Sequence, residues 1–300
     1  MKSALRTKIR ASFEKAARTY DDSAFLQKEV ARRMDDRLDM MRLQPERILD
    51  AGCGTGFAFP LLGQRYPQSH LVGLDLAHAM LAEARHRLPK PTLFGRLLAP
   101  FNGRPAPLVG ADMEAMPLAS DSVDLLWSSL ALQWLETPDA SFREMRRVLK
   151  PGGLLLFSTF GPDTLRELRA AFAGLDGYNH VNRFLDMHDV GDALIHAGFA
   201  NPVMEMEYLT LTYDDLKGVM RDLKGIGAHT VVDRRREGLM GRKEWQRLVD
   251  NYEAFRREGK LPATYEVIYG HAWVGAVKPA HEDGRKVIQL KIEQRRGGLD

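Results

Sequence analysis

The residues ILDAGCGTGF at positions 48–57 constrain this chain more than any other stretch. A short apolar strand, Arg47-Ile48-Leu49-Asp50, runs into Gly52, Gly54 and Gly56, with a helix expected behind them. Glycines between a strand and a helix allow a tight turn and a close approach of backbone to a ligand. The spacing is G-x-G-x-G, not the dinucleotide pattern G-x-G-x-x-G, and no Gly-Lys-Ser/Thr follows to make a P-loop. Asp50 at the strand end would repel a pyrophosphate. A carboxylate there suits a ligand that carries positive charge.

The pattern downstream is alternating. A second strand is expected at Leu71-Val72-Gly73-Leu74-Asp75 and a helix from about Ala77 to Leu88. A third strand should end near Gly110-Ala111-Asp112, and a fourth is Val123-Asp124-Leu125-Leu126-Trp127. A helix around 140–149 meets Lys150-Pro151-Gly152-Gly153, which reads as a stop signal. A fifth strand, Leu154 to Thr159, is apolar through Phe157, as a buried parallel strand should be. Strands alternating with helices imply right-handed βαβ crossovers and an open parallel sheet, an α/β fold. Further on, a helix fits 187–197, a strand 203–213, charged helical residues 214–260 and a last strand 264–277. At the start, residues 11–41 have helical spacing in two stretches, with Asp21-Asp22-Ser23 offering N-cap oxygens between them. The expected organisation is an N-terminal helical lid over 1–44, a core over 45–213, a helical cap insertion over 214–262, the last core strand over 263–277 and a polar tail over 278–300. Residues 89–107 hold five prolines and read as an extended surface loop.

Composition removes several function classes. Hydrophobic residues make up 44% of the chain, enough for a real core, and no run reaches the ~18 apolar residues of a membrane span. Forty-three basic against forty acidic side chains give a net charge of +3, too balanced for a protein that lives on nucleic acid. The single cysteine, Cys53, excludes an intrachain disulfide and any multi-cysteine metal site. The nine histidines lack H-x-x-x-H spacing, so no metal is expected. The basic N-terminus has no apolar h-region and is no secretory signal. The expectation is a cytoplasmic protein without a nucleic-acid or membrane partner. The sequence does not reveal oligomeric state, and a monomer is carried forward.

Two further signals define the ligand. Asp75 ends the second strand, where an acidic side chain can accept hydrogen bonds from a ribose diol. Asp112 ends the third, where it can accept from an adenine amino group while Met113 lies on the ring face. An adenosine with a free diol, no phosphates and a cationic group is S-adenosylmethionine, whose product is S-adenosylhomocysteine. Leu76 and Ser128 are placed with Asp50, Gly52, Gly54, Gly56, Asp75, Asp112 and Met113 in the expected cofactor set.

Over roughly residues 45–160 this arrangement resembles the class I S-adenosylmethionine-dependent methyltransferases. The resemblance implies a Rossmann-like, mostly parallel seven-stranded sheet with an antiparallel last strand. It also implies that the turn at 52–56 wraps the amino-acid end of the cofactor, Asp75 holds the ribose, and Asp112 with Met113 frames the adenine. A closer resemblance, to the malonyl-acyl carrier protein O-methyltransferases of biotin synthesis, rests on other pieces. These are FEKAARTYDDSAFLQKEVA at 13–31, SSLALQW at 128–134, HVNRFLD at 180–186 and RDLKGIGAH at 221–229. It implies methyl transfer to the free carboxylate of a malonyl thioester on an acyl carrier protein, giving an ester that primes pimeloyl synthesis.

That chemistry needs no general base, because the carboxylate is ionised at neutral pH. It needs positioning, a cation to orient the carboxylate and a lid. Arg183 is the candidate clamp, since a guanidinium binds a carboxylate bidentately. Tyr20 is the candidate lid residue. Gln133, at the carboxyl edge of the sheet, is placed to hydrogen-bond substrate, with Trp134 beside it read as core. Cys53 reads as a small buried residue. Arg234, Arg235, Arg236, Arg242 and Lys243 would either dock an acidic carrier protein or form a solvated helix face. Three rival readings stay open. One is a small-molecule methyltransferase with another acceptor. Another is a methyltransferase-like respiratory complex I assembly factor of the arginine hydroxylase type, which the chain resembles across LKGIGA and LPATYEVIYGHAW. The third is a non-catalytic cofactor-binding scaffold.

Overall fold

Seven strands form one sheet: β1 (Arg47–Ala51), β2 (His70–Asp75), β3 (Leu108–Gly110), β4 (Val123–Ser128), β5 (Leu149–Phe160), β6 (Phe199–Tyr213) and β7 (Leu261–Val274). The computed structural model describes residues 2–88, 107–135, 137–176, 178–227 and 240–275. The expected loop up to residue 106, the polar tail and Arg234, Arg235 and Arg236 lie outside the described residues. The strand order is β3-β2-β1-β4-β5-β7-β6. β1 to β5 pair in parallel, and β7 runs antiparallel to both β5 and β6, so the expected reversed last strand is present.

The central strands are apolar on both faces because both faces are covered. Ile48, Leu125, Leu154 and Leu156 point into one core cluster, and Leu49, Leu126, Leu155 and Phe157 into the other. This is the two-residue alternation of a strand with no solvent side. Ten helices are described: α1 (Lys2–Ala16), α2 (Tyr20–Ser23), α3 (Phe25–Arg37), α4 (Ala58–Arg65), α5 (His78–Ala84), α6 (Pro138–Val148), α7 (Arg166–Phe172), α8 (Met187–His196), α9 (Leu216–Gly225) and α10 (Arg242–Glu253). α3 buries Leu26, Val30 and Met34, one stripe at helical spacing. α9 and α10 lie between β6 and β7 in the chain, and their Leu216, Val219, Leu248 and Tyr252 join the same core cluster. The Tyr252 hydroxyl donates to the Pro262 carbonyl at 2.9 Å, tying α10 to the start of β7.

Several local readings change. The first helix begins at Lys2, well before residue 11. Asp21, Asp22 and Ser23 do not cap α3. They form α2, and Ala24 stands at the N-cap of α3 without a side-chain bond. Lys150 to Gly153 belong to β5: Leu149 pairs with Val123, the register shifts, and pairing resumes at Leu154 opposite Leu125. Gly152, at φ +80°, therefore serves an irregular strand rather than a helix stop. α7 was not foreseen, since seven residues are too few to show a helical period.

The chain leaves β1 toward β2 and β3 and returns on the other side of β1 as β4. The switch point between β1 and β4 opens a crevice at the carboxyl ends of the strands, where open α/β sheets bind ligands.

Candidate functional site

The glycine turn sits at that crevice. Its glycines have φ of +79°, +52° and +75° at Gly52, Gly54 and Gly56, a region that L side chains rarely adopt. Gly52 and Cys53 N–H groups both donate to the Leu74 carbonyl, at 2.7 and 3.0 Å. The Asp75 carboxylate accepts from Gly54 N at 2.8 Å and from Ala77 N at 2.8 Å, so it fixes the turn and the entry to α5. A side chain at Gly52 would start 2.5 Å from the Ala131 Cβ, whereas one at Gly54 would meet no protein atom within 4 Å.

A cavity above the turn is lined by Gly52, Gly54, Asp75, Leu76, Asp112 and Met113, with Tyr20 at its edge. Three expected residues lie outside this lining. Gly56 packs: a Cβ there would strike the Phe59 ring at 2.8 Å. Ser128 is fully buried and donates to the Ala51 carbonyl at 2.8 Å, tying β4 to β1, while its neighbour Ser129 lines the cavity. Asp50 is 2% exposed, and its Oδ2 has no hydrogen-bond partner among the described residues. Burial, aided by the Asp75 charge, pushes its carboxyl up to about 8. Burial also raises the Asp75 carboxyl, against the backbone donors that lower it. The Tyr20 phenol is pushed above the ordinary tyrosine range by burial and by Asp75 and Asp21, so it keeps its proton and stays a donor.

Helix α1 forms the roof, a role the sequence reading missed at residue level. Arg6, Ile9 and Phe13, spaced as one helical face, line the cavity. Arg6 pairs with Asp112 at 2.7 Å and also with Glu114, so the carboxylate expected to meet adenine is engaged by the roof. Glu14 accepts from His78 N and Ala79 N at 2.8 and 2.9 Å and so caps α5 from outside. α2 is anchored to the turn itself: Thr55 Oγ1 donates to Asp21 at 3.0 Å, and Arg87 bridges Asp21 and the Thr55 carbonyl.

The opposite face of α1 lines a second cavity of about 1100 Å³. Its walls include Phe160, Phe172, Phe184 and Asn182. His180, also in the wall, stacks on Phe172 at 3.7 Å and bonds Asp176 at 2.8 Å. Among the described residues, Trp134 alone lines both cavities. It is half-buried, so the core reading of Trp134 is corrected. Gln133 lines neither; its Nε2 donates to the Leu130 carbonyl at 2.7 Å, which turns the amide back on its own loop. Arg183 is exposed and outside both linings, although Asn182 and Phe184 on either side of it are within the second. The structure therefore does not bring the expected carboxylate clamp to the cavity. Cys53 is buried, and burial next to Asp50 and Asp75 pushes its thiol well up, so it is no nucleophile.

These features fit an adenosine ligand with a cationic end. Gly54 leaves open space where a side chain would stand, Asp50 holds an orphaned oxygen behind the turn, and Asp75, Asp112 and Glu114 bring carboxylates to the lining.

Comparison with known proteins agrees with this chemistry. A family model described as a methyltransferase domain matches residues 49–157. A malonyl-[acyl-carrier protein] O-methyltransferase of Laribacter hongkongensis is 56% identical over 288 residues, covering 95% of each chain. One from Gallionella capsiferriformans is 52% identical over 285 residues, covering 95% of this chain and 96% of its own. Among solved structures, the YcgJ protein of Bacillus subtilis aligns with a TM-score of 0.55 at 14% identity, over 82% of this chain and 98% of its own, a likeness of fold.

Proposed function

The chain belongs to the malonyl-[acyl-carrier protein] O-methyltransferase family, and from that membership we propose that it methylates the free carboxylate of a malonyl thioester borne on an acyl carrier protein. It is an S-adenosylmethionine-dependent methyltransferase. The observation that carries the substrate reading is the pair of cavities meeting at Trp134. One is lined by the glycine turn with Asp75 and Asp112 and suits the donor, and the other, of about 1100 Å³ with aromatic and aliphatic walls, suits an acyl arm.

When bound, S-adenosylmethionine would supply a sulfonium methyl for transfer to a carboxylate oxygen, with S-adenosylhomocysteine as the leaving group that keeps the C–S electron pair. The chain's own residues bind and orient. Gly52 and Gly54 offer backbone without side chains to the amino-acid end. Asp75 takes the ribose, Met113 and Leu76 border the adenosine, and Asp112 takes the adenine amino group once Arg6 yields. Asp50 balances the cationic end from behind the turn. The protonated Tyr20 phenol donates a hydrogen bond at the edge of the donor cavity and closes it. No residue need accept a proton, since the acceptor carboxylate is already ionised. Phe160, Phe184 and Trp134 exclude water from the carboxylate, which strengthens it as a nucleophile. Alignment of the reacting atoms supplies the main acceleration, at most about 7–11 kcal/mol.

The product ester serves biotin synthesis in the cytoplasm. Arg242 and Lys243, at the start of α10, belong to a basic docking surface for the acidic carrier. The relatives described above favour this reading over an assembly factor or a binding scaffold. The test is incubation with malonyl-acyl carrier protein and methyl-labelled cofactor, with mass spectrometry of the acyl group. A labelled methyl ester on the malonyl but not on an acetyl carrier is the expected result. A labelled product with no carboxylate ester would overturn the assignment.

A further inference from the structure

The larger cavity has a cationic rim built from two helices. Lys8, Ser12 and Lys15 fall on one face of α1, and Arg221 and Lys224 on one face of α9. The C-terminal end of α9 is held against α1 and α2. Ser12 Oγ donates to the Gly227 carbonyl at 2.8 Å, just past the end of α9. A side chain at Gly225 would strike Ser23 of α2, and one at Gly227, where φ is +70°, would start 3.2 Å from the Ala16 Cβ, so glycines ease the close approach to α2 and α1. Lys8, Lys15, Arg221 and Lys224 all line the cavity, and all are exposed. Among the described residues, Asp22 is the one carboxylate in its lining. Met220, Leu223, Phe172, Phe160 and Trp134 line the same cavity, and Trp134 also lines the donor cavity.

We propose that this rim is a phosphate site, and that Lys8, Lys15, Arg221 and Lys224 hold the phosphate of a phosphopantetheine arm whose malonyl end reaches Trp134. The proposal rests on the carrier-bound malonyl thioester as substrate and adds where the arm is gripped. A long, thin, mostly apolar ligand with one anionic group at its outer end fits a cavity with cations at its mouth and aromatic walls within. Arginine offers a fork to phosphate and lysine a point charge, and neither needs burial to act. A phosphate contact here also selects the thioester by its arm, independently of any protein surface that the carrier presents.

The test uses the full chain and three substrates: malonyl-phosphopantetheine, malonyl-pantetheine without the phosphate, and the malonyl-acyl carrier protein. In the wild type the phosphate should lower KM by at least roughly tenfold, taking about twofold for each of the four exposed cations. In a Lys15→Gln/Lys224→Gln double variant the ratio of the two small-substrate KM values should collapse toward one. Raised salt should shrink the wild-type ratio in the same direction. Calorimetry of free phosphopantetheine gives a readout that does not need turnover, and binding should weaken in the variant. A wild-type KM indifferent to the phosphate overturns the proposal. So does a variant that loses only the carrier-bound substrate, since that marks a protein-docking surface. Failure of the wild type to methylate any of the three malonyl substrates overturns instead the reading on which the proposal rests.

Discussion

Phe13 meets Trp134 edge to face, with ring centroids 5.3 Å apart and planes at 86°. This contact joins the roof helix α1 to the loop after β4, at the seam where the two cavities touch. An edge-to-face pair contributes about 0.5–1.5 kcal/mol beyond its buried area. Its position matters more than its strength, because any group passing from donor to acceptor crosses beside it.

Trp134→Ala should therefore damage turnover more than cofactor binding. A misplacement of about 1 Å between reacting groups costs roughly 10²-fold in rate. Single-turnover rates should fall on that scale, while S-adenosylhomocysteine affinity changes by much less. Trp134→Phe should recover part of the loss. An affinity loss as large as the rate loss would make Trp134 a wall of the donor cavity only.

Asp75→Ala should weaken S-adenosylhomocysteine binding by about 1.5–3 kcal/mol, the range for hydrogen bonds to a charged group. Two effects act together, because the carboxylate also holds Gly54 N and Ala77 N. Asp75→Asn keeps one acceptor and should fall between. Calorimetry on variants with a wild-type circular dichroism spectrum decides it, and an unchanged dissociation constant removes Asp75 from the site.

The two cavity-lining glycines should separate stability from binding. Both have positive φ, so an alanine costs about 1–2 kcal/mol at either position. At Gly52 it also crowds Ala131 and Met113, whereas at Gly54 it meets no protein atom. Gly52→Ala should lower Tm clearly more than Gly54→Ala, yet both should lose cofactor affinity. Tm measurements beside calorimetry check the pair, and equal drops in Tm would contradict the packing difference.

Asp50 predicts a pH dependence with a definite sign. Its carboxyl is raised from an ordinary 3.8 to about 8, chiefly by burial. The folded protein then keeps a proton that the unfolded chain releases. The resulting stability is fully present below about pH 4 and is lost as pH rises toward 8. Asp50→Asn stays neutral throughout, so its Tm should gain on the wild type between pH 5 and pH 8. A cationic ligand favours the ionised form, so wild-type affinity for S-adenosylmethionine should rise over the same window and the variant's should stay flat. A Tm difference that is constant with pH would show that Asp50 does not titrate there.

Arg183→Ala should keep substrate KM within about twofold of wild type, as expected for an exposed side chain without a structural partner in the site. Kinetics on the malonyl substrate check this. A large rise in KM would show that the guanidinium swings into the cavity during turnover and would restore it as the clamp.

The donor half of the site was legible because its signals are local. A strand end, three glycines at fixed offsets and an acidic residue at the next strand end occupy a short span, and sheet geometry alone brings Gly52, Gly54 and Asp75 together. Gly56 and Ser128 share the same neighbourhood, but their direction is set by packing against Phe59 and by a bond to Ala51, which no spacing rule reports. Of the roof face, Phe13 alone fell within the helical spacing read from residue 11 onward, and nothing in the sequence says which surface that face covers.

By itself, then, the sequence determined the alternation of strands and helices and the chemical character of the donor ligand. These follow from hydrophobic periodicity and backbone conformation within a few dozen residues. Only the tertiary structure decided that α1 stands between two cavities, that Trp134 joins them, that Asp112 is held by Arg6, and that Arg183 faces solvent. Those relationships pair residues more than a hundred positions apart, such as Phe13 with Trp134 and Ser12 with Gly227. They depend on how rigid elements dock and which side chains burial then turns inward, a balance of packing over the whole fold.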